Sequence, residues 1–273
     1  MLKGEDMAKK YDGYMLCTDM DGTLLNTDHE ISKENAEAIK HFIREGGIFT
    51  VATGRIPPAV IPFFTDFAPN APIVTHNGAA VYDVESGEYL FNISLDDGAA
   101  DVLEYIEKQF DFVGFEVYDK SKLYAYRPNE SINWHVGIEN LKVEIKNYKD
   151  VPCPWTKAMF VQQKDKTDIV RSSLLKSRYR DKYSFIQSSG IFLEVLSKEA
   201  SKGNALIKMR EHLNRKIHTV ICAGDNENDI SLLRAADVSY AVGNAIEDLK
   251  KEADNITVTN NEHAIAKIIR DIT

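Results

Sequence analysis

Two aspartates separated by one residue, Asp19 and Asp21, stand directly after a short apolar run, Tyr14 to Thr18. Carboxylates so close repel, at a cost on the order of 1–4 kcal/mol for charges about 4 Å apart at solvent-like to surface-like dielectric. The pair is tolerable if one member binds a cation or holds a proton, which sets a nucleophile and a general acid side by side. A solvated acidic turn is the plainer alternative, because so short a motif often arises by chance. A calcium loop fits poorly: Leu24 stands where an EF-hand needs glycine, although Glu30 falls at the twelfth position.

A second cluster, Gly224-Asp225-Asn226-Glu227-Asn228-Asp229, also follows an apolar run. Alone it is equally readable as a helix N-cap region, which favours Asp and Asn. Two such clusters after strands in one chain make coincidence a weaker account. Hard oxygen ligands from Asp19 and Asp225, completed by water and phosphate, describe a magnesium site. Two further pieces suit an anion. Thr53-Gly54-Arg55 offers a hydroxyl and a small turn residue after the run Ile48 to Ala52. Lys202 follows the N-cap candidate Ser201, where a cation opposes the helix dipole by about 0.3–1 kcal/mol. An anion explains that lysine better than helix stability does, although a solvated surface lysine is the alternative.

These residues need a scaffold that brings strand ends together. Strand signals at Tyr14 to Thr18, Ile48 to Ala52 and Ile73 to Thr75 alternate with a helix capped by Ser32, carrying Ala36, Ile39 and Ile43, and closed by Gly46-Gly47. Strand, helix, strand at this spacing implies a parallel sheet with right-handed crossovers. In such a sheet ligands bind beyond the carboxyl ends of the strands. The last third repeats the logic: a helix through Ala205, Leu206, Met209 and Leu213, a strand from His218 to Ala223, a helix near Asn228 to Ala235, a strand from Val238 to Val242, and a closing helix with Ala264, Ile265, Ile268 and Ile269 on one face. The middle differs. Phe112 to Tyr118 and Leu123 to Tyr126 are aromatic and alternating, as in an antiparallel sheet with one exposed face. Two helices, Asp96 to Phe110 and Lys166 to Tyr179, accompany them, and Val151 to Trp155 is a proline-stiffened break. The expected fold is α/β: a Rossmann-like parallel core over 1–85 and 191–273 with an α+β cap inserted over 86–190.

Composition narrows the function classes. The 273 residues are 44% hydrophobic, enough for a sizeable core. A formal charge of −9 argues against a nucleic-acid binder but leaves room for an anionic substrate held by local cations. The three cysteines, Cys17, Cys153 and Cys222, read as buried thiols in a reducing compartment and leave no zinc motif. The N-terminal stretch MLKGEDMAKKYDGY, with candidate starts at Met1 and Met7, lacks the apolar segment of a secretory signal. No apolar run approaches about 18 residues. A cytoplasmic location is the expectation, with no membrane partner and a monomeric or homodimeric state.

With the motifs in order, the chain resembles the haloacid dehalogenase-like superfamily of phosphohydrolases, and most closely its Cof-like branch with a large α/β cap. The resemblance rests on Asp19-Met-Asp21-Gly-Thr-Leu-Leu25, Ala52-Thr53-Gly54-Arg55, Asn77-Gly78, Ser201-Lys202-Gly203-Asn204-Ala205-Leu206 and Gly224-Asp225-Asn226-Glu-Asn228-Asp229, and covers nearly the whole chain. It implies that Asp19 is the nucleophile that becomes phosphorylated. Asp21 would be the acid, then the base, with its backbone carbonyl on magnesium. Asp225 would be a further metal ligand, supported by Asp229. Thr53, Gly54, Lys202 and Asn228 would handle the phosphoryl group. One departure is Glu199, where relatives often carry glycine. Substrate preference would lie in the cap, with Arg127, Trp134, His135 and Trp155 as candidates for touching the leaving group.

The resemblance makes a small phosphorylated metabolite the expected substrate, either a sugar phosphate or a phosphorylated cofactor. A phosphotransfer mutase is the alternative within enzymes, separated by whether inorganic phosphate is released. A non-catalytic phosphometabolite sensor is the alternative outside them, disfavoured because a binder needs no acid beside the nucleophile.

Overall fold

The computed structural model describes residues 9–272; the stretch with Met1 and Met7 lies outside them. Five strands form one parallel sheet in the order β14-β13-β12-β1-β2: β1 (Tyr14–Thr18), β2 (Ile48–Val51), β12 (Thr219–Gly224), β13 (Val238–Ala241) and β14 (Asn255–Ile256). Helices α1 (Lys33–Arg44) and α9 (Ala264–Asp271) cover one face, where Ile39 and Phe42 meet Ile265, Ile268 and Ile269. Helices α6 (Lys202–His212), α7 (Ile230–Arg234) and α8 (Glu247–Glu252) cover the other, through Leu206, Met209, Leu232 and Leu249. Buried strands with helices on both faces match the near-continuous apolar runs of the sequence. A short helix, α2 (Pro57–Val60), follows β2.

The third expected core strand behaves differently. Among the described residues β3 (Ile73–Thr75) pairs with the parallel sheet only at the bridge Ala52 to Val74, and it pairs antiparallel with β4 (Ala80–Asp83), which pairs with β5 (Glu88–Asn92). The chain turns back because Asn77 and Gly78 take left-handed backbone angles, φ 54° and 93°. Gly78 is obligatory for a second reason: a Cβ there would stand 2.1 Å from the Ser201 carbonyl, so this turn packs directly on the start of α6.

The inserted part is a six-stranded sheet, order β10-β11-β9-β6-β7-β8, made of β6 (Gly114–Asp119), β7 (Lys122–Tyr126), β8 (Val143–Ile145), β9 (Lys157–Val161), β10 (Tyr183–Gln187) and β11 (Phe192–Ser197). It is antiparallel except for the β7–β8 pair. Helices α3 (Ala99–Glu107) and α5 (Thr167–Lys176) pack on one face through Val102, Leu103, Ile106, Val170 and Leu174, against Phe115, Val117, Phe160 and Val195. The opposite face looks toward the core, where Met159 and Val161 meet Ile56 and Ala59. The sheets do not follow the boundaries expected at 85/86 and 190/191. β5 belongs with β3 and β4, and β11 belongs to the inserted sheet. A third helix, α4 (Glu130–Ile138), also stands here where two were expected. Cys17 and Cys222 are adjacent in register and buried, whereas Cys153 is exposed, unlike the buried thiol expected. No helix of the described residues is long and apolar enough to cross a membrane.

Candidate active site

The carboxyl ends of β1 and β12 deliver the two acidic clusters to one place. Asp19 follows β1 and its backbone N–H donates to the Ala223 carbonyl at 2.9 Å, which ties the two strand ends together. Carboxylate oxygens of Asp19, Asp225 and Asp229 lie within 4.8 Å of one another. Gly22, at φ 79°, makes this approach possible, because a Cβ there would meet Asp225 Oδ2 at 2.6 Å. Thr23 donates its hydroxyl to Asp225 Oδ1 at 3.2 Å.

Lys202, fully buried, reaches from the start of α6 and donates to Asp19 Oδ1 and Asp229 Oδ1, both at 2.6 Å. Ser201 caps that helix by accepting from the Asn204 N–H, which fixes the backbone from which Lys202 extends. Asp229 Oδ2 accepts from the backbone N–H groups of Asp225 and Asn226 at 2.9 and 3.1 Å. Asp229 therefore shapes the loop and orients Lys202, with both its oxygens engaged.

Three carboxylates against one ammonium leave a negative surplus out of water. Burial, then repulsion from Asp229, pushes Asp19 well above the usual carboxylate range despite Lys202. Burial and Asp229 likewise push Asp225 up to about 7. For Lys202, burial pulls downward, but Asp19 and Asp229 outweigh it and hold the ammonium charged. The donors of this cluster are all oxygen, the type that suits a hard divalent cation, whose charge would offset their mutual repulsion.

Asp21 lines the same cleft but faces elsewhere. Arg55 grips it bidentately, Nε to Oδ2 and NH2 to Oδ1, both at 2.7 Å. Burial alone would raise the Asp21 carboxyl, yet this guanidinium holds it well below the usual range. Arg55 also lies 3.5 Å from Glu139, just past the end of α4. Thr53 is buried and accepts from the Arg55 N–H through its hydroxyl at 3.1 Å. Asn228 donates to Asn77 at 2.9 Å.

The cleft between core and cap has a volume of about 560 Å³ and is lined by Asp19, Asp21, Thr53, Gly54, Asp225 and Asn228 from the core and by Trp134, His135, Glu139, Lys157 and Glu194 from the cap. Two of the four expected cap residues are not there. Trp155 is 1% exposed in the cap's hydrophobic core, its indole N–H donating to the Val151 carbonyl at 3.2 Å. Arg127 stands 3.7 Å from Glu107 and over the Tyr126 ring, away from the cleft.

Several cleft residues were not expected. Period-two alternation puts Phe115 and Val117 on the helix side of β6, and so Glu116 and Tyr118 on the cleft side. The same rule turns Lys157, Met159, Phe192 and Glu194 toward the core. Lys157 donates to Glu194 and to the Gly54 carbonyl, both at 2.9 Å, and Asn77 donates to Glu194 at 2.8 Å. Cap residues thus hold the Thr53-Gly54-Arg55 loop from behind. His135 sits between Glu116, at 3.0 Å, and Glu139, at 3.5 Å. Burial would lower its pKa, but the two carboxylates lift it to about 9. The available signal was a charged residue at alternate positions of apolar strands, as in Phe-Glu-Val-Tyr and Phe-Leu-Glu-Val.

The haloacid dehalogenase-like hydrolase family profile matches residues 16–269. The chain is 29% identical over 270 residues to the putative phosphatase YxeH of Bacillus subtilis, covering 94% of this chain and 97% of that protein. It is 26% identical over 281 residues to the B. subtilis 5-amino-6-(5-phospho-D-ribitylamino)uracil phosphatase YwtE, covering 93% and 96%. A solved haloacid dehalogenase-like hydrolase from B. subtilis superposes with a TM-score of 0.82 at 26% identity, covering 95% of this chain and 99% of that one. The protein belongs to the haloacid dehalogenase-like hydrolases, and within them it is a phosphatase.

Proposed function

We propose that the protein is a magnesium-dependent phosphatase of small phosphorylated metabolites, working through an aspartyl-phosphate at Asp19. The observation that carries this reading is the convergence of Asp19, Asp225 and Lys202 at the ends of β1 and β12. Relatives support the substrate class, since YwtE is named for a phosphorylated ribityl-heterocycle.

Asp19 Oδ attacks phosphorus while the P–O bond to the leaving group breaks. Asp21, protonated, gives its proton to the departing alkoxide. Water then attacks the aspartyl-phosphate, Asp21 takes the water's proton, and phosphate leaves with Asp19 regenerated. The Asp21–Arg55 pair holds Asp21 in the ionised form needed for the second half. For the first half Asp21 turns from Arg55 toward the leaving oxygen, and Arg55 keeps Glu139 as partner. Lys202 offsets charge at Asp19, while Thr53, the Gly54 backbone and Asn228 line the cleft and would orient the phosphoryl oxygens. Magnesium held by Asp19, Asp225 and the Asp21 carbonyl would supply charge neutralisation for a dianion entering an acidic site.

The test is inorganic phosphate release from a panel of phosphorylated metabolites, with and without chelator. Release that stops with chelator and returns with magnesium is expected. Transfer to a second hydroxyl without free phosphate, or undiminished release in metal-free buffer, would reject the reading.

A further inference from the structure

Resting on the phosphatase reading above, we propose that the preferred ester carries one phosphate and an uncharged, flat heteroaromatic leaving group that lies against Trp134. A polyol or a leaving group with a second phosphate is the poorer fit. The cleft of about 560 Å³ extends well beyond the phosphoryl position and is large enough for a ring system. Its outer wall is apolar: Ile56 from the core, and Trp134, Ile138, Met159, Ile191 and Phe192 from the cap. Trp134 and Ile138 are one turn apart on α4, so they share a face. They are 52% and 41% exposed. Among the described residues the Trp134 indole has no aromatic neighbour. A large apolar face left open beside a reaction centre, on the helix that also carries His135, is a platform for a ring.

Charge selects against a second anion. Arg55 is taken by Asp21 and Glu139, His135 by Glu116 and Glu139, and Lys157 by Glu194. Among the described residues lining the cleft only Lys164, at the rim, is a cation outside an ion pair. His29, also in the lining, lies 3.9 Å from Asp21, so a second phosphate would find these cations already beside carboxylates. A polyol would set several hydroxyls against Ile56, Ile138, Met159 and Phe192, where they find no partner. Two lining side chains keep donors for the ligand. The Ser189 hydroxyl already accepts from the Ile191 N–H at 3.2 Å and has its proton to give, and Lys164 has its ammonium. They suit a ring with acceptor atoms at its edge.

The experiment compares phosphate release from pyridoxine 5′-phosphate, glucose 6-phosphate, fructose 1,6-bisphosphate and acetyl phosphate. The ring ester is expected to exceed both sugar esters in kcat/KM by about tenfold or more. Trp134→Ala should lower the ratio of ring ester to acetyl phosphate about tenfold, mostly through KM, and Trp134→Phe should restore most of it. Binding gives a readout free of turnover: pyridoxine 5′-phosphate should quench tryptophan emission saturably in Asp19→Asn, and not in Asp19→Asn with Trp134→Phe. Sugar esters equal to or better than the ring ester, or an unchanged ratio in Trp134→Ala, would overturn the proposal and leave the phosphatase reading intact. No release from any ester, acetyl phosphate included, would overturn both.

Discussion

The molecule holds two chains of alternating charge, and they are built to opposite ends. Across the cap, Glu116, His135, Glu139, Arg55 and Asp21 follow one another so that each cation stands between two carboxylates. In the core, Lys202 stands between Asp19 and Asp229 in the same manner, but Asp225 adds a third carboxylate to which Lys202 gives no hydrogen bond. The consequence is visible in which way the acids move. Asp21, at the end of the cap chain, is held low, whereas Asp19 and Asp225 are pushed up. A network in which every carboxylate has a cation beside it fixes geometry. One with a surplus stores a demand for a cation, and that demand marks the reactive end.

The comparison breaks most sharply at Asp19. Asp19→Asn removes the attacking oxygen's charge while keeping its shape, so turnover should fall by about 10⁴-fold or more with the fold retained. Phosphate release alongside circular dichroism checks this, and a variant within tenfold of wild type would mean that another group attacks. Lys202→Met comes next. It leaves Asp19 and Asp229 buried without their shared cation, and should cost on the order of 3–5 kcal/mol in urea unfolding at neutral pH. Magnesium should return part of that loss by occupying the same acidic cluster. A midpoint like that of the wild type would show that Lys202 is not carrying the charge.

The cap chain offers a pH test. His135 is raised from 6.5 to about 9, so it binds its proton more tightly in the folded state. Its stabilisation is complete below about pH 6.5 and is lost as pH climbs through about 9. The loss should be roughly 3 kcal/mol, from about 1.4 kcal/mol per pKa unit. Urea midpoints at pH 6.5 and 9.5 measure it, and His135→Gln should flatten the difference. An equal slope in the variant would show that the Glu116–His135–Glu139 chain contributes nothing to stability in this range.

The two regions were also unequally legible. Core residues are short-range: Asp19, Thr53, Lys202 and Asp225 each stand at a strand end or helix start whose local signal is strong, and parallel-sheet topology brings those ends together. Ser32 and Ser201 cap helices as expected. The cap chain is long-range, since Glu116 and His135 meet only when β6 and α4 are packed. The helix α4 was itself obscure. Ile132, Trp134, Val136 and Ile138 alternate with polar or small residues, a period of two that belongs to strands, and Gly137 weakens its helix propensity. Its clear marker is the cap, Asn129, which accepts from the Ile132 N–H at 2.9 Å. Trp155 misleads in the other direction: its aromatic, hydrogen-bonding side chain suits a leaving group, yet it is buried in the cap's hydrophobic core.

Arg127 separates a cap residue that touches the cleft from one that only belongs to the cap. Sequence alone made it a candidate for binding the leaving group, and on that view Arg127→Ala would change the substrate profile. Its side chain is 39% exposed and 3.7 Å from Glu107 at the end of α3, and it is not among the residues lining the cleft with Trp134 and His135. A pair at that distance with a solvent-accessible guanidinium is worth about 0–1 kcal/mol, and Arg127 stands 5.7 Å from the Tyr126 ring centre. Glu107 keeps hydrogen bonds from Tyr126 and Tyr148, at 2.9 and 2.6 Å, so removing the arginine leaves no buried carboxylate unpaired. Arg127→Ala should therefore shift the urea midpoint by no more than about 0.5 kcal/mol and change kcat/KM less than about twofold on every ester. A selective loss on one substrate would bring Arg127 back into the leaving-group site, and would require the cap to close further over the core than the arrangement seen in this structure.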